Sequence, residues 1–406
     1  MGVILFPNKK EMKRLCNSIF RGGVLCPEYC CKEIEPEGEL SDVEYEVLSE
    51  IQRTVVLVKK KVEDLINEIP FSEIAQKYRY ENSFTNWRDR SHFIRLCLEM
   101  LDKEIDGNVL YIMGLMEIFY LSWLIADEAI DEAKKCEGKE TIYNKEGISS
   151  ICISNVIHTI VSKVLQKIIK NKKPDVDTLQ KMQEIIAEIW DKTWYGFYED
   201  EKKTEILEGI NQKGENRDWY FLEREMEYFR RIELIWGSHF EGGIRLALSL
   251  FPEIGEEKLK LFGKIGRLWG KMLKLRDDII DIVGDKVGLG REVFEDIIAS
   301  NDGSIKVKKT LPLIRLIKEK GGQEIIKKLA NDKKGLSEIK KKLADAATEQ
   351  EELKNISLTL EKAIEYSQKR LQLIASEING LLMRFPDTDA KISLMKLAGL
   401  VSTIRY

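Results

Sequence analysis

Two stretches of the chain space their carboxylates so that they could bind a hard cation: "LIADEAID", ending at Asp131, and "LKLRDDIIDIVGD", running from Leu273 to Asp285. On a helix, Asp127 and Asp131 lie one above the other, as do Asp277, Asp281 and Asp285, while Asp278 falls about 100° round the axis. Like charges at that spacing repel on a solvated face and repel far more when desolvated, so something cationic should sit between them. Acidic pairs of this kind are common on exposed helices. These two differ in being embedded among residues that read as buried. Carboxylates without His or Cys favour an ion with oxygen ligands, and Mg2+ in particular keeps waters and bridges to phosphate oxygens.

The two stretches are about 150 residues apart, so the fold has to bring them together. From about residue 40 onward the period is helical, as in "VEYEVLSEIQRTVVLVKKKVEDLINEI", with apolar residues at intervals of three and four and charge between them. Only eight Pro occur and strand-like alternation is scarce, which predicts an all-α chain. Breaks at "EIDGN", "KCEGKE", "KNKKPD", "NQKGENRD", "FPEIG", "GDKVGLG", "SNDGS", "NDKKG" and "RFPDT" bound roughly a dozen helices. Residues 1–40, with Gly-Gly and "EPEGE", read as an irregular extension, and 41–406 as one large helical bundle. The run "YIMGLMEIFYLSWLIA" leads directly into the first acidic turn. Its carboxylates are therefore expected at the mouth of a central apolar cavity, facing the second cluster across the bundle.

Composition narrows the partners. Lys and Arg number 65 against 69 Asp and Glu, a formal charge of -4, which predicts no strong attraction to nucleic acid or to an anionic membrane. Seven Cys, none in a strict CxxC, follow no secreted disulfide pattern, and Cys16, Cys26, Cys30 and Cys31 lack evident partners for a zinc site. The sequence has no cleavable signal and no uninterrupted apolar stretch of about 20 residues, so the expectation is a cytoplasmic protein without a stable membrane span. Gly-rich phosphate loops, HExxH and a nucleophile elbow are absent.

With both clusters in view, the chain resembles the trans-isoprenyl diphosphate synthase family, whose two aspartate-rich motifs read DDxxD. Here they stand as "DEAID" (127–131) and "DDIID" (277–281), and the resemblance runs from about residue 45 to 320. Most specific is "GKMLKLRDDIIDIVGDKVGLGREVFED", followed after the insertion "IIASNDGSIKV" by "KKTLPLI". The resemblance implies an all-α isoprenoid-synthase bundle, homodimeric assembly, and Mg2+ ions that grip a prenyl diphosphate. It casts Asp127, Glu128, Asp131, Asp277 and Asp281 as metal ligands, with Asp278 completing the catalytic aspartates.

Departures from the family pattern cluster at its second diphosphate site, the one for isopentenyl diphosphate. Gly-Gly-Lys-x-x-Arg becomes "RSHFIR", which replaces the lysine with His92 and keeps Arg95, with Arg88 and Arg90 nearby. Arg-Arg-Gly becomes Cys136-Glu137-Gly138, a carboxylate where a phosphate should dock. At an effective dielectric near 20, such a like-charge pair about 4 Å apart costs roughly 4 kcal/mol. On the allylic side, Ile235-Trp236-Gly237 replaces Lys-Thr-Gly, Leu273-Lys274 replaces Phe-Gln, Arg291 stands for a lysine, and Lys308 matches. Arg231 resembles the diphosphate-sensing arginine of class I terpene synthases, and the terminal Arg405-Tyr406 resembles a pair that closes over diphosphate there. The expected diphosphate ligands are thus Arg95, Arg231, Lys274, Arg291, Lys308 and Arg405. The expected cavity wall is Trp123, Ser122, Phe197 and Trp236, whose aromatic faces suit a carbocation. Retained metal ligands beside an erased acceptor site favour a terpene synthase that ionises a prenyl diphosphate and cyclises or eliminates the cation. The alternatives are a prenyltransferase that elongates or alkylates an acceptor, a non-catalytic partner subunit, and a plain helical scaffold.

Overall fold

The computed structural model describes residues 42–68, 89–136, 139–202, 205–206, 217–284, 293–294, 296–299, 304–332, 335–345 and 351–404. Helices dominate, as the periodicity predicts. In order they are α1 (Asp42–Asn67), α2 (Asp89–Glu99), α3 (Gly107–Ile130), α4 (Ile142–Glu146), α5 (Ser150–Ile157), α6 (Ile160–Lys172), α7 (Val176–Lys202) and α8 (Arg217–Ile232). A π-helical turn, Glu233–Gly237, leads into α9 (Ser238–Leu248). Then follow α10 (Glu256–Val283), α11 (Leu311–Lys318), α12 (Gly322–Asn331), α13 (Leu336–Asp345), α14 (Glu351–Leu382) and α15 (Asp389–Val401). Strands are few and short. β1 (Lys135–Cys136) pairs antiparallel with β2 (Lys139–Glu140), while β5 (Ile305–Val307) lies between β3 (Glu205–Ile206) and β4 (Ile297–Ala299), antiparallel to both. The stretch read as an insertion thus supplies two of the three strands, β4 and β5, of the only three-stranded sheet among the described residues.

Helix α3 is the core helix. Asp106 caps its start by accepting from the backbone N–H groups of Asn108 and Val109, and buried side chains continue from Asn108 to Ala129. Helix α10 is amphipathic and lies between α9 and α14. Its approach to the π-helical turn and α9 depends on two glycines. A Cβ on Gly270 would stand 2.4 Å from the Trp236 carbonyl oxygen, and one on Gly266 would stand 2.7 Å from that of Phe240. Gly270→Ala is expected to destabilise the fold by about 1–3 kcal/mol, since backbone cannot yield as a side-chain tip does. A urea titration of variant and parent measures it.

Two helical stretches, Gly107–Ile130 and Ile142–Lys172, are long and apolar enough by composition to cross a membrane, more than uninterrupted runs alone predict. The first is 78% buried within the protein and is simply its core; the second is only 33% buried.

Candidate active site

Both acidic clusters sit in the last turns of their helices. Asp127 and Glu128 end α3, and the backbone N–H of Asp131 closes the helix on the Asp127 carbonyl at 2.8 Å. Asp277, Asp278 and Asp281 occupy the end of α10, with Asp278 and Asp281 2% and 5% exposed. Neither helix has a basic residue in its last turn. The negative end of each helix dipole therefore adds to the carboxylates, and both ends need positive charge.

Two lysines supply part of it. Lys274, one turn before Asp278, reaches its carboxylate at 2.8 Å and that of Asp277 at 3.3 Å. Lys308 pairs with Asp131 and lies 3.9 Å from Asp200. The small sheet explains how Lys308 arrives there: Lys308 directly follows β5, Asp296 directly precedes the paired strand β4, and β3 ties β5 to the end of α7, where Asp200 lies. The Lys308 backbone N–H also donates to the Asp296 carbonyl at 2.9 Å. Arg231, 3% exposed, grips Asp200 at 2.7 Å through Nε and donates to the Lys309 carbonyl at 2.7 Å through Nη2. Tyr228 donates to Asp278 at 2.7 Å. Asp200, Asp296 and Tyr228 join the site without having been singled out in the sequence.

Electrostatics couple the two clusters. Burial, then the charge of Asp131, raises Asp127 to about 7, against opposing help from Lys308 and Lys274. Lys274 belongs to the second cluster and Asp127 to the first, so the acidic turns share one field. Burial, then Asp278, raises Asp296 likewise to about 7. Burial opposes the ammonium of Lys308, but Asp131, Asp127, Asp200 and Asp296 outweigh it and push its pKa up. A carboxylate raised in the folded state contributes stability that is present below its unfolded pKa, about 3.9, and lost as pH rises through its folded value. Asp296→Asn is therefore expected to raise the melting temperature of the metal-free protein at pH 8, with the advantage fading toward pH 5. Thermal melts across that range test it.

The donor set fits a hard divalent ion. It is all oxygen, over-rich in negative charge, and partly compensated by the ammonium groups of Lys274 and Lys308. Among the described residues no three His, Cys, Asp or Glu side chains are grouped closely enough to hold a metal ion by themselves. Of the expected diphosphate ligands, Lys274, Lys308 and Arg231 converge on this cluster. Arg291 and Arg405 lie outside the described residues, as do Arg88, Glu137, Gly138, Asp285, Tyr406 and the extension 1–40.

Arg95 points to a different network. Its guanidinium donates to both carboxylate oxygens of Glu99 at 2.8 and 2.9 Å, to Glu50 at 2.6 Å, and to Thr54 Oγ1 at 2.8 Å. Thr54 Oγ1 also meets His92 Nδ1 at 2.9 Å. Burial, then Arg95, lowers the His92 pKa well below its usual value. Arg90 pairs with Asp89 and lies over the Tyr120 ring, 3.9 Å from its centroid. Around this position, cations are committed to protein partners.

Below the carboxylates lies an aromatic layer. Trp123 stands one helical turn before Asp127, and Ser122, Trp123 and Phe197 are buried at 0%, 2% and 7% exposure. Trp236 is half-buried, 6.1 Å from the Tyr120 ring and 5.9 Å from Lys274 Nζ. The expected wall residues therefore share one region with His158, His239, Trp190 and Trp194.

Residues 74–346 match the family profile described as polyprenyl synthetase. A geranylfarnesyl diphosphate synthase from Aeropyrum pernix is 24% identical over 41% of this chain, spanning just under half (45%) of that relative's length. A short chain isoprenyl diphosphate synthase from Methanocaldococcus jannaschii is 23% identical over 68% of this chain and 73% of its own. In fold, a geranylgeranyl pyrophosphate synthetase from Pyrococcus horikoshii superposes with TM-score 0.65 at 18% identity, covering 89% of this chain and 99% of that one. A polyprenyl synthase from Caulobacter crescentus, solved with calcium and isoprenyl diphosphate, gives TM-score 0.65 at 16% identity over 88% and 98%.

Proposed function

Given that the chain belongs to the polyprenyl synthetase family, we propose that it ionises an allylic prenyl diphosphate and transfers the prenyl cation to an acceptor. The convergence of Asp127, Asp131, Asp277 and Asp278 around Lys274 and Lys308 carries this reading. Asp127, Glu128, Asp131, Asp277 and Asp281 would hold Mg2+, which when bound would neutralise charge on the leaving diphosphate. Lys274, Lys308 and Arg231 bind diphosphate oxygens, and Arg291 and Arg405 are assigned the same role by sequence position. The carbon–oxygen bond breaks with its electrons on the diphosphate. The cation is left facing Trp123, Phe197 and Trp236, whose ring faces stabilise it. The named relatives favour transfer over the cyclisation expected from sequence.

A second reading, a terpene synthase-like activity without an acceptor, is supported by one observation. Arg95, which matches the family's isopentenyl diphosphate motif, is paired with Glu50 and Glu99. Incubation with geranyl, farnesyl and geranylgeranyl diphosphates plus Mg2+, with and without isopentenyl diphosphate, separates the two. Consumption of isopentenyl diphosphate with a longer product supports transfer; release of diphosphate unaffected by it supports the second reading; no metal-dependent release from any substrate refutes both. A homodimer in the cytoplasm completes the proposal. The partly uncovered apolar stretch Ile142–Lys172 supports a second copy as partner, which sedimentation equilibrium tests.

A further inference from the structure

Two histidines are buried one turn below the carboxylates, and one of them is left without hydrogen bonds. His239 is 3% exposed, and neither ring nitrogen has a hydrogen-bond partner among the described residues. Its ring lies 3.8 Å from that of Trp123, centroid to centroid. His158 is better satisfied: Ser122 Oγ lies 2.6 Å from its Nε2, and the Trp123 indole N–H donates to the same atom at 3.1 Å. A buried polar group left unpaired is costly, and few persist without a reason. The turn that delivers His239 is itself irregular, since the π-helical segment Glu233–Gly237 ends two residues before it. Such turns occur mostly as single insertions and often at functional sites.

Position gives the imidazole its chemistry. Trp123 is on the helix of Asp127, and Trp236, which faces Lys274, packs on Tyr120 while His239 packs on Trp123, one turn further along the same helix α3. A prenyl chain that extends from a diphosphate among the aspartates along α3, by one turn, meets Trp123 and the imidazole packed on it. Burial, then Arg90 and His158, keeps the His239 pKa well below its usual value, so its nitrogen holds a free lone pair at neutral pH.

Resting on the proposed ionisation of a prenyl diphosphate at the same site, we infer that His239 is a catalytic base that takes a proton from the prenyl cation, giving the protein an elimination activity. The carbon–oxygen bond breaks with both electrons leaving on diphosphate. A C–H bond next to the cationic carbon then gives its proton to an imidazole nitrogen, and its electron pair becomes a new double bond. The product is a conjugated olefin, and the imidazolium returns its proton to the departing diphosphate. The face of Trp123 stabilises the imidazolium while it lasts.

The full chain is incubated with geranyl, farnesyl and geranylgeranyl diphosphates and Mg2+, without acceptor; olefin and prenyl alcohol are measured by gas chromatography against diphosphate released. Wild type is expected to form olefin. His239→Phe and His239→Gln are expected to lower olefin per diphosphate released by about a hundredfold, the scale of a general base, with alcohol rising in its place. The Gln variant keeps a polar side chain of similar reach, so a folding defect specific to Phe leaves the test intact, and melting curves verify both. Wild type that releases diphosphate without olefin, or variants with an unchanged olefin ratio, overturn the base. Failure to release diphosphate from any substrate overturns the ionisation itself and the inference with it.

Discussion

Asp127→Asn is expected to lower metal-dependent release of diphosphate about a thousandfold, equivalent to roughly 4 kcal/mol of barrier. The same change should raise the melting temperature of the metal-free protein at pH 8. Asp127 is pushed up to about 7 by burial and by Asp131, so its charged form opposes folding, and the amide removes that charge. Opposite signs for stability and activity are the mark of a carboxylate kept for an ion rather than for the fold. Diphosphate release at saturating Mg2+ and thermal melting, run on the same preparations, measure the two arms. A variant with lower activity and lower stability would instead mean that Asp127 serves the packing of α3.

The second large effect concerns Lys308, which is buried and faces Asp131 and Asp200. Lys308→Met is expected to destabilise the metal-free protein by about 3–5 kcal/mol, because it leaves carboxylates crowded without their cation. Mg2+ should restore part of this loss, since an ion binding only the folded state stabilises it by mass action. Urea unfolding with and without 10-fold steps of Mg2+, about 1.4 kcal/mol per decade at saturation, reads the rescue. Loss of stability that Mg2+ does not touch would separate Lys308 from the metal site.

Much of this was legible in the sequence, for reasons that differ by residue. Regular spacing and few prolines gave the helices, because helix periodicity is local. Asp127, Asp131, Asp277 and Asp281 stood out since each pair repeats at one helical turn within an apolar run. Asp200 and Asp296 did not, because each is a single acid flanked by others in "YED" and "FED", and only β3, β4 and β5 bring them in. Those strands are two or three residues long, too short for alternation to register. The apparent insertion "IIASNDGSIKV" contributes the paired strands β4 and β5, and Lys308 directly follows β5. His239 was hidden for another reason: a lone histidine carries no spacing signal, and its lack of partners is a property of three-dimensional packing. Arg95 was placed in a diphosphate site by its motif, yet Glu50 and Glu99 hold it, and nothing in local sequence announced a partner 45 residues upstream.

On the proposed function, the ends of α3 and α10 form one site for divalent metal and diphosphate. Calorimetric titration with a bisphosphonate, a diphosphate mimic that cannot ionise, measures that binding. Binding is predicted in the presence of Mg2+, absent without it, and abolished separately by Asp127→Asn and by Asp281→Asn. Binding that ignores Mg2+, or that survives either substitution, would contradict it.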